Sequence, residues 1–340
     1  MTQVPMPPGS ARDPARPRSF HVTSMGELRV DLPMTELRRL IATGEGETWV
    51  DIDATSRLQV AFLESIPAFH PLSIEDSLNP NSRVKVEEYT DYVIAVIRGV
   101  RFHQATDDPY DLETFNLACF LGKNFLVTVH HGASEGISSA AEHLLRNPEL
   151  LRRGADRMMH MIFDQAVDAY FPLLDQLDDF VDGLEERVFE DFDQQVMRDI
   201  FAVKRLVLSL RRHLAPQREV FNILTNRPSP FITPEGQVYF RDVYDHMLRI
   251  NEGLETYRDL LSSTMDSYLM QISNRLGMAT KGLSAVATVS VPFVIVSGMW
   301  GMNFHAIPFA GAPNAFWWML IVQLGAGLIL YLLLRLWRLL

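Results

Sequence analysis

Two long apolar segments near the C-terminus constrain the fold of this chain more than any other feature. Segments 282–300 and 315–334 each contain about 20 residues, and a helix of that length, rising about 1.5 Å per residue, crosses a hydrocarbon core of about 30 Å. No Asp, Glu, Lys or Arg occurs from Gly282 to Leu334. We therefore predict two transmembrane helices. A pair of buried helices in a soluble protein is the alternative.

The charges that flank these segments predict their orientation. Lys281 precedes the first segment, Arg335 and Arg338 follow the second, and the connecting loop contains no Lys or Arg. Because positively charged flanks tend to remain in the cytoplasm, both termini are predicted to be cytoplasmic and the loop to face outwards. The expected location is the cell membrane, which is the inner membrane where a cell has two.

The first apolar segment differs from the second in its small and hydroxylated residues, which include Ser284, Thr288, Ser297 and Gly298. Such residues indicate close helix packing, and they can also line a watery pore. The second segment is rich in Leu, as lipid-facing helices are. Because two helices cannot enclose a pore, conduction would require an oligomer.

Composition restricts the compartment and the partners of the chain. Its 340 residues carry a net charge of −11 and a single cysteine, Cys119. One cysteine excludes an intrachain disulfide and fits a reducing compartment, and the acidic balance argues against nucleic acid. The sequence contains no glycine-rich phosphate loop, no HExxH and no paired CxxC. We therefore predict no nucleotide binding, no resident cofactor and no enzymatic activity.

The N-terminal part is predicted to be a cytoplasmic α/β domain, 23–150, preceded by a disordered Pro- and Arg-rich tail, 1–22. Residues 122–124 are typical of a hairpin turn, and His130 and His131 are expected on the surface at the end of a strand. Three segments have the alternation or the β-branched content of strands: 48–53, 84–102 and 114–131.

Residues 151–232 are predicted to form a helical hairpin. Segment 164–193 contains eleven Asp or Glu and one Arg, whereas the following segment, 198–214, is basic. Blocks of opposite charge on consecutive helices favour an antiparallel pair whose faces attract each other. A solvated face and a surface that concentrates metal ions are the alternatives for the acidic block.

A stalk helix, 233–281, is predicted to continue directly into the first membrane segment. Apolar residues recur every three or four positions from Val243 to Leu276, which is the spacing of a coiled-coil-like seam. A single helix from 234 to 300 would be about 100 Å long. A hinged pair of shorter helices is the alternative.

The tripeptide 301–303, Gly-Met-Asn, follows Trp300 and lies between the two apolar segments. This arrangement resembles the signature of the CorA family of magnesium and cobalt transport proteins. Segments 70–99 and 115–130 are also similar to that family, and the resemblance extends from about residue 25 to the C-terminus.

The resemblance implies an α+β membrane protein that assembles as a homo-oligomer, expected to be a pentamer, with the first transmembrane helix lining the pore. Gly301, Met302 and Asn303 would form the outer mouth, where Asn303 supplies amide oxygens to a hydrated cation. Leu283 is the candidate gate. The residues expected to line the pore are Thr280, Leu283, Ala287, Val291 and Val294.

The expected regions after the hairpin are the stalk 233–281, transmembrane helix 1 over 282–302, the outer loop 303–314, transmembrane helix 2 over 315–334 and the basic C-terminus 335–340.

The resemblance also implies gating by an intracellular divalent cation held by acidic residues. Asp242 and Asp266 are the candidates on the stalk, and a merely solvated carboxylate is the alternative for each. The transported and regulatory ion is expected to be Mg²⁺, with Co²⁺, Ni²⁺ or Zn²⁺ as further possibilities.

Two departures from the family pattern keep alternatives open. The outer loop lacks acidic residues, and Gly277 occupies a position where the family is expected to have a polar ring. Both features bring the chain nearer to a zinc-transporting branch, with or without proton coupling, for which His305 at the outer mouth would be a suitable ligand. An alternative of another class is a membrane-anchored metal sensor or scaffold that conducts nothing.

Overall fold

The computed structural model of the chain describes residues 16–102, 112–132, 134–190, 194–302 and 311–336. The chain divides into two units. Unit 1 comprises Met1–Glu185 and Gln194–Ser262, and unit 2 comprises Glu186–Asp193 and Ser263–Leu340.

Seven strands of unit 1 form one mixed sheet in the order β2-β1-β3-β7-β6-β5-β4. Only the β3–β7 pair is parallel among the described strand pairs; the other neighbours are antiparallel. The predicted strands and the predicted turn at 122–124 are confirmed. The strands are β1 Arg18–Val22, β2 Leu28–Val30, β3 Glu47–Asp53, β4 Lys85–Glu88, β5 Val93–Phe102, β6 Leu112–Leu121 and β7 Phe125–His130.

Helices cover this sheet and continue through the rest of the chain. Buried Leu37, Phe62 and Ile74, one from each of the first three helices, pack against Val50 and Phe120 of the strands. Helix α6 contacts β3, β5, β6 and β7, and its buried residues do not belong to that cluster, so the sheet carries helices on both faces. The helices are α1 Met34–Thr43, α2 Arg57–Glu64, α3 Pro71–Leu78, α4 Glu135–Arg146, α5 Glu149–Arg152, α6 Ala155–Asp168, α7 Phe171–Glu190, α8 Gln194–Leu214, α9 Gln217–Asn226, α10 Pro234–Trp300 and α11 Ala315–Leu336.

The predicted disordered tail, 1–22, is too long at its C-terminal end. Residues 18–22 form β1, which pairs with both β2 and β3. Phe20 is fully buried, and its ring stacks on that of Trp49. The Pro- and Arg-rich composition of the segment hid this short strand, which owes its order to apolar burial against the sheet.

His130 is buried, so the expectation that it lies on the surface is wrong. Its Nε2 is 3.0 Å from Asp51 Oδ1, and its Nδ1 is 2.7 Å from the carbonyl oxygen of Gly132. Burial alone would lower the pKa of His130, but the hydrogen bond and charge of Asp51 raise it. Thr128 also donates to Asp51. Asp51, Thr128 and His130 therefore form a buried polar network between β3 and β7.

Replacing Glu47 with glutamine is expected to stabilise the protein in alkaline solution. The pKa of Glu47 is raised to about 7: burial raises it most, a hydrogen bond from the backbone of Ala155 lowers it, and the nearby charge of Asp156 raises it. A folded pKa above the unfolded value means that the stability from protonated Glu47 is complete below pH 4.5 and is lost as pH rises through 7.

Glutamine can keep the hydrogen bond from Ala155 without the charge. Thermal unfolding should show Glu47→Gln more stable than the wild type at pH 8.5 by on the order of 1 kcal/mol, and the two equally stable at pH 5. Glu64→Gln, on an exposed position of α2, is the control and should show no such crossover. A Glu47→Gln protein that is destabilised at both pH values would contradict the assignment.

Helix α8 is attached to α10 within unit 1. Arg211 of α8 forms an ion pair with Glu255 of α10, and Lys204 Nζ donates to Ser262 Oγ at 3.2 Å. The basic block therefore contacts the stalk helix. The predicted attraction between the faces of α7 and α8 stays a prediction.

The predicted stalk and the first membrane segment form one helix of 67 residues, α10, so the alternative of a hinged pair is wrong. Pro292 lies inside this helix without ending it. The helix ends at Trp300, two residues before the predicted boundary, whereas α11 extends two residues beyond the predicted end of the second segment. Of the predicted basic C-terminus, residues 337–340 lie outside the described residues.

The apolar parts of α10 and α11 are long enough to cross a membrane. Within the single chain only 6% of the most apolar 18-residue window of α10 and 11% of that of α11 is buried. Core helices of a soluble protein would be mostly buried. The exposure of the apolar parts of α10 and α11 therefore favours two membrane helices over two buried helices of a soluble protein.

Candidate functional site

One face of α10 carries the uncharged residues that the sequence analysis assigned to a pore. At about 100° per residue, the five positions fall on one side of the helix. Leu283 and Val294 are 74% and 70% exposed, and from Gly282 to Met302 the chain contains no charged residue. We name this surface the uncharged face: Thr280, Leu283, Ala287, Val291 and Val294.

A different side of α10 contacts α11. The ring of Phe293 lies against Gly327, where a Cβ atom would approach Phe293 Cε2 to 2.9 Å. Gln323 is buried, and its Nε2 donates to Ser297 Oγ at 2.8 Å. With the buried Ala285, these contacts define a stripe about 140° around the helix from the uncharged face. Helix α11 therefore does not cover the uncharged face.

Hydroxyl groups of α10 bond back to their own helix. Thr280 donates to the carbonyl of Leu276, and Thr288 to that of Ser284, both at 2.8 Å. Thr280, Ser284 and Thr288 also line a cavity of about 500 Å³ in unit 2, together with Lys281 of the same helix and Leu334 of α11. Because each hydroxyl oxygen keeps lone pairs, these groups can accept hydrogen bonds from the water of a hydrated cation.

The segment after α10 begins with a closed turn. The Gly301 N–H donates to the carbonyl oxygen of Ser297 at 2.9 Å, and a Cβ on Gly301 would lie 3.0 Å from the same oxygen. Glycine thus permits this close approach. Met302 is half exposed. Asn303 lies outside the described residues, so its role at the mouth stays a prediction, as does that of His305.

A second group of candidate functional side chains lies in unit 1 where α6 meets α10. Asp164 of α6 and Asp242 and His246 of α10 offer ligand atoms within 4.8 Å of one another. His246 Nδ1 is also 3.0 Å from Asp168 Oδ1. Asp242 and His246 are one turn apart, as are Asp164 and Asp168, so each pair projects from one face of its helix. We name Asp164, Asp242 and His246 the α6–α10 cluster.

Asp164 is the member of this cluster whose surroundings most favour a cation. Its Oδ1 is buried and has no hydrogen-bond partner among the described residues. Burial raises the pKa of Asp164, and the neighbouring carboxylate of Asp168 raises it further. A divalent cation would give the buried oxygen a partner and offset the repulsion between the carboxylates. The residues present therefore fit a divalent cation.

The sequence analysis proposed Asp242 as a metal ligand, which stays a prediction, and it did not propose Asp164 or His246. The four-residue spacing within each helix was a usable signal, since it places ligands on one face. Nothing in the sequence indicates that α6 and α10 meet at this point. Asp266, the other candidate, is exposed in unit 2 and does not belong to the cluster.

Comparison with known proteins covers both sites. The family model described as CorA-like Mg²⁺ transporter protein matches residues 44–336. The cobalt/magnesium transport protein CorA of Thermotoga maritima is 33% identical over 265 residues, which are 77% of this chain and 74% of that protein. The putative metal ion transporter YfjQ of Bacillus subtilis is 32% identical over 76% of this chain and 79% of its own length.

A solved structure shares the fold over nearly the whole chain. The complete structure of the CorA magnesium transporter from Methanocaldococcus jannaschii superimposes with a TM-score of 0.79 at 21% identity. The match covers 94% of this chain and 97% of that one. The α/β domain, the long helix and the two C-terminal apolar helices therefore form a known architecture.

Proposed function

The chain belongs to the CorA-like Mg²⁺ transporter family, and on that premise we propose that it carries divalent cations, Mg²⁺ and Co²⁺ foremost, through a membrane into the cytoplasm. The observation that carries the proposal is the uncharged face of α10, which α11 does not cover. This face leads towards the closed turn at Gly301. The names of the relatives support the choice of ions.

A hydrated ion is the species that suits this pathway. Mg²⁺ dehydrates reluctantly and usually keeps several waters. Neutral oxygens, such as the amide of Asn303 and the hydroxyl of Thr280, accept hydrogen bonds from those waters without holding the ion as tightly as carboxylates would. Weak binding permits release, which conduction requires. Leu283 is the apolar constriction that would close the path.

The membrane potential supplies the driving force. A divalent cation gains about 4.6 kcal/mol for each 100 mV of inside-negative potential. This energy supports an accumulation on the order of a thousandfold. Both termini are proposed to be cytoplasmic, so that the positively charged flanks of the spans stay inside and Gly301 faces outwards.

A homo-oligomer, proposed to be a pentamer, completes the path. One copy presents the uncharged face on a single helix, and one helix encloses nothing. The exposure of Val291 and Val294 in the single chain fits a surface that other copies surround. Rings of identical residues around an axis then follow from cyclic symmetry.

The α6–α10 cluster is proposed to bind the regulatory cation. Carboxylate oxygens suit Mg²⁺, whereas the imidazole of His246 also suits Co²⁺ and Zn²⁺. Asp164 and Asp242 would hold the ion by charge, and His246 would add selectivity for the softer metals. Because the cluster includes residues of both α6 and α10, a bound ion would hold the N-terminal part of α10 against α6 within unit 1.

Uptake by proteoliposomes tests the transport proposal. Purified full-length protein is reconstituted, an inside-negative potential is imposed, and Mg²⁺, Co²⁺ and Zn²⁺ are supplied in parallel. Uptake of Mg²⁺ and Co²⁺ that depends on both the potential and the protein is expected. Uptake of Zn²⁺ without Mg²⁺ would assign the chain to zinc transport. Absence of flux for all three ions would leave the non-conducting sensor as the better description.

Asp242→Asn is expected to abolish the stabilisation of the protein by Co²⁺ and Mg²⁺. A ligand at a hundred times its Kd stabilises a folded protein by about 2.7 kcal/mol, which thermal unfolding detects. The wild type should therefore unfold at a higher temperature as either cation is added, with Co²⁺ acting at the lower concentration because of His246. The variant should show little shift.

Asp245→Asn is the matched control for this measurement. Asp245 is an exposed carboxylate three residues further along the same helix, and it is outside the α6–α10 cluster. The control should retain the full cation-induced shift. If Asp242→Asn retains it as well, the cluster is not the regulatory site.

A further inference from the structure

The outward side of α8 combines arginines with exposed apolar side chains. Phe201 and Leu208 are 44% and 43% exposed, although α8 also has a buried side that contains Val203 and Val207. At about 100° per residue the exposed residues fall on the side of the helix opposite to the buried one. We name them the basic stripe: Arg198, Phe201, Arg205, Leu208 and Arg212.

The arginines of the basic stripe have no ion-pair partner in the part of the chain that the structure describes. No carboxylate there lies within 4.0 Å of Arg198, Arg205 or Arg212, whereas the adjacent Arg211 pairs with Glu255. A purely solvated face has no need of Phe201 and Leu208. Arginine together with aromatic side chains is the composition that protein–protein interfaces favour.

Helix α7 carries a surface of complementary charge. Its exposed Asp175, Asp179 and Asp182 recur at steps of four and three residues, which are also the steps of the basic stripe. They lie on the side opposite to the buried Leu177 and Val181. We name these three aspartates the acidic stripe. Both stripes lie within unit 1.

We propose that the basic stripe of one copy docks on the acidic stripe of a neighbouring copy of this chain. Each stripe points away from the buried side of its own helix, so the two stripes do not face each other through the core of one chain. The second copy is the favoured occupant because it presents carboxylates at the spacing of the arginines. This interface extends the homo-oligomer of the proposed function, on which it rests.

The two stripes are different surfaces, so their contact is heterologous. A heterologous contact repeated from copy to copy forms a ring when the rotation closes, whereas a two-fold dimer needs one surface that matches itself. Exposed ion pairs contribute mainly register and orientation. Phe201 and Leu208 would contribute the burial of apolar area. The stripes thus set the direction in which copies follow one another.

Cysteine crosslinking of the full-length protein tests the interface. The only native cysteine, Cys119, is fully buried, so a double variant with Leu208→Cys and Asp179→Cys presents two accessible thiols, one per stripe. Treatment with a short bifunctional maleimide in mild detergent should give a ladder of covalent oligomers beyond the dimer on a denaturing gel. Each single variant should give none.

Three results would overturn the proposal. They are crosslinks confined to one chain, products that stop at a dimer which a single variant also forms, and no product at all from oligomeric protein. Retention of anionic lipid that Arg205→Glu abolishes, without interchain crosslinks, would identify a membrane as the occupant and would equally overturn it.

A charge exchange separates docking from mere proximity. In the crosslinking background, Arg205→Glu should lower the yield of the ladder about fivefold, and adding Asp182→Arg to the same chain should restore it. An unchanged yield in the first variant contradicts an electrostatic interface. Mg²⁺ uptake is measured on the same preparations. Uptake together with no ladder from the double-cysteine variant would contradict the interface and leave the transport proposal intact. A ladder from that variant together with no uptake by the wild type would contradict the transport proposal and leave the interface intact.

Discussion

Replacing Asn303 with alanine is expected to lower Mg²⁺ uptake into proteoliposomes by about tenfold or more while the protein still folds and assembles. The reason is chemical. A hydrated cation at the mouth presents O–H donors, and the amide oxygen of Asn303 would accept from them in every copy of the ring. Alanine removes that acceptor, so the ion has no group to replace the bulk water around its first shell.

The control for this substitution is a second asparagine in the same segment between the two membrane helices. Asn314 adopts a positive φ of 70° immediately before α11, a conformation that glycine also adopts readily. Asn314→Gly should therefore keep the backbone and retain uptake while removing an amide. Equal loss in both variants would indicate a general disturbance of the outer segment, and full uptake by Asn303→Ala would remove the amide ring from the mechanism.

Replacing Gly327 with leucine is expected to disrupt the contact between α10 and α11. Even a Cβ atom at this position would lie 2.9 Å from Cε2 of Phe293 and 3.9 Å from Cγ1 of Val289. Leucine adds three further carbon atoms in the same direction, and overpacking of this kind typically costs about 1–3 kcal/mol. The protein should unfold at a lower temperature in detergent and lose most of its uptake.

Gly325 provides the matched control on the same helix. A Cβ atom there would meet no other heavy atom within 4 Å. Gly325→Leu introduces the same side chain two residues away, and within the chain it should leave the stability unchanged. Equal destabilisation of the two variants would show that leucine is poorly tolerated throughout α11, and not that the contact with Phe293 is the cause.

Local sequence patterns predicted much of the fold correctly. The alternation of residues in 114–131 indicated two strands and a turn, and the apolar spacing of three and four residues from Val243 to Leu276 indicated one long helix. Both predictions depend on neighbouring residues along the chain, which is why they succeed. The strand at 18–22 and the burial of His130 depend on partners that are distant in the sequence. The residues next to each of them therefore did not predict either feature.

For the uncharged face too, the sequence predicted the local property and only the structure showed the long-range one. The helical spacing of Thr280, Leu283 and Val294 is a property of the sequence, and it placed them on one face without knowledge of any neighbour. The direction of that face relative to α11 depends on Phe293, which packs against Gly327. Only the packing of the two helices shows that the face is left uncovered.

The sequence by itself determined that the C-terminal part contains two membrane-length helices, that the first continues a long stalk, and that the five residues of the uncharged face share one side of it. These properties follow from hydropathy and helical period, which are local. The tertiary structure alone decided that Asp164 and His246 join Asp242. Contacts between α6 and α10 join residues about 80 positions apart, and no local pattern encodes which turns of two helices meet. That choice is made by the packing of both helices in the core of unit 1.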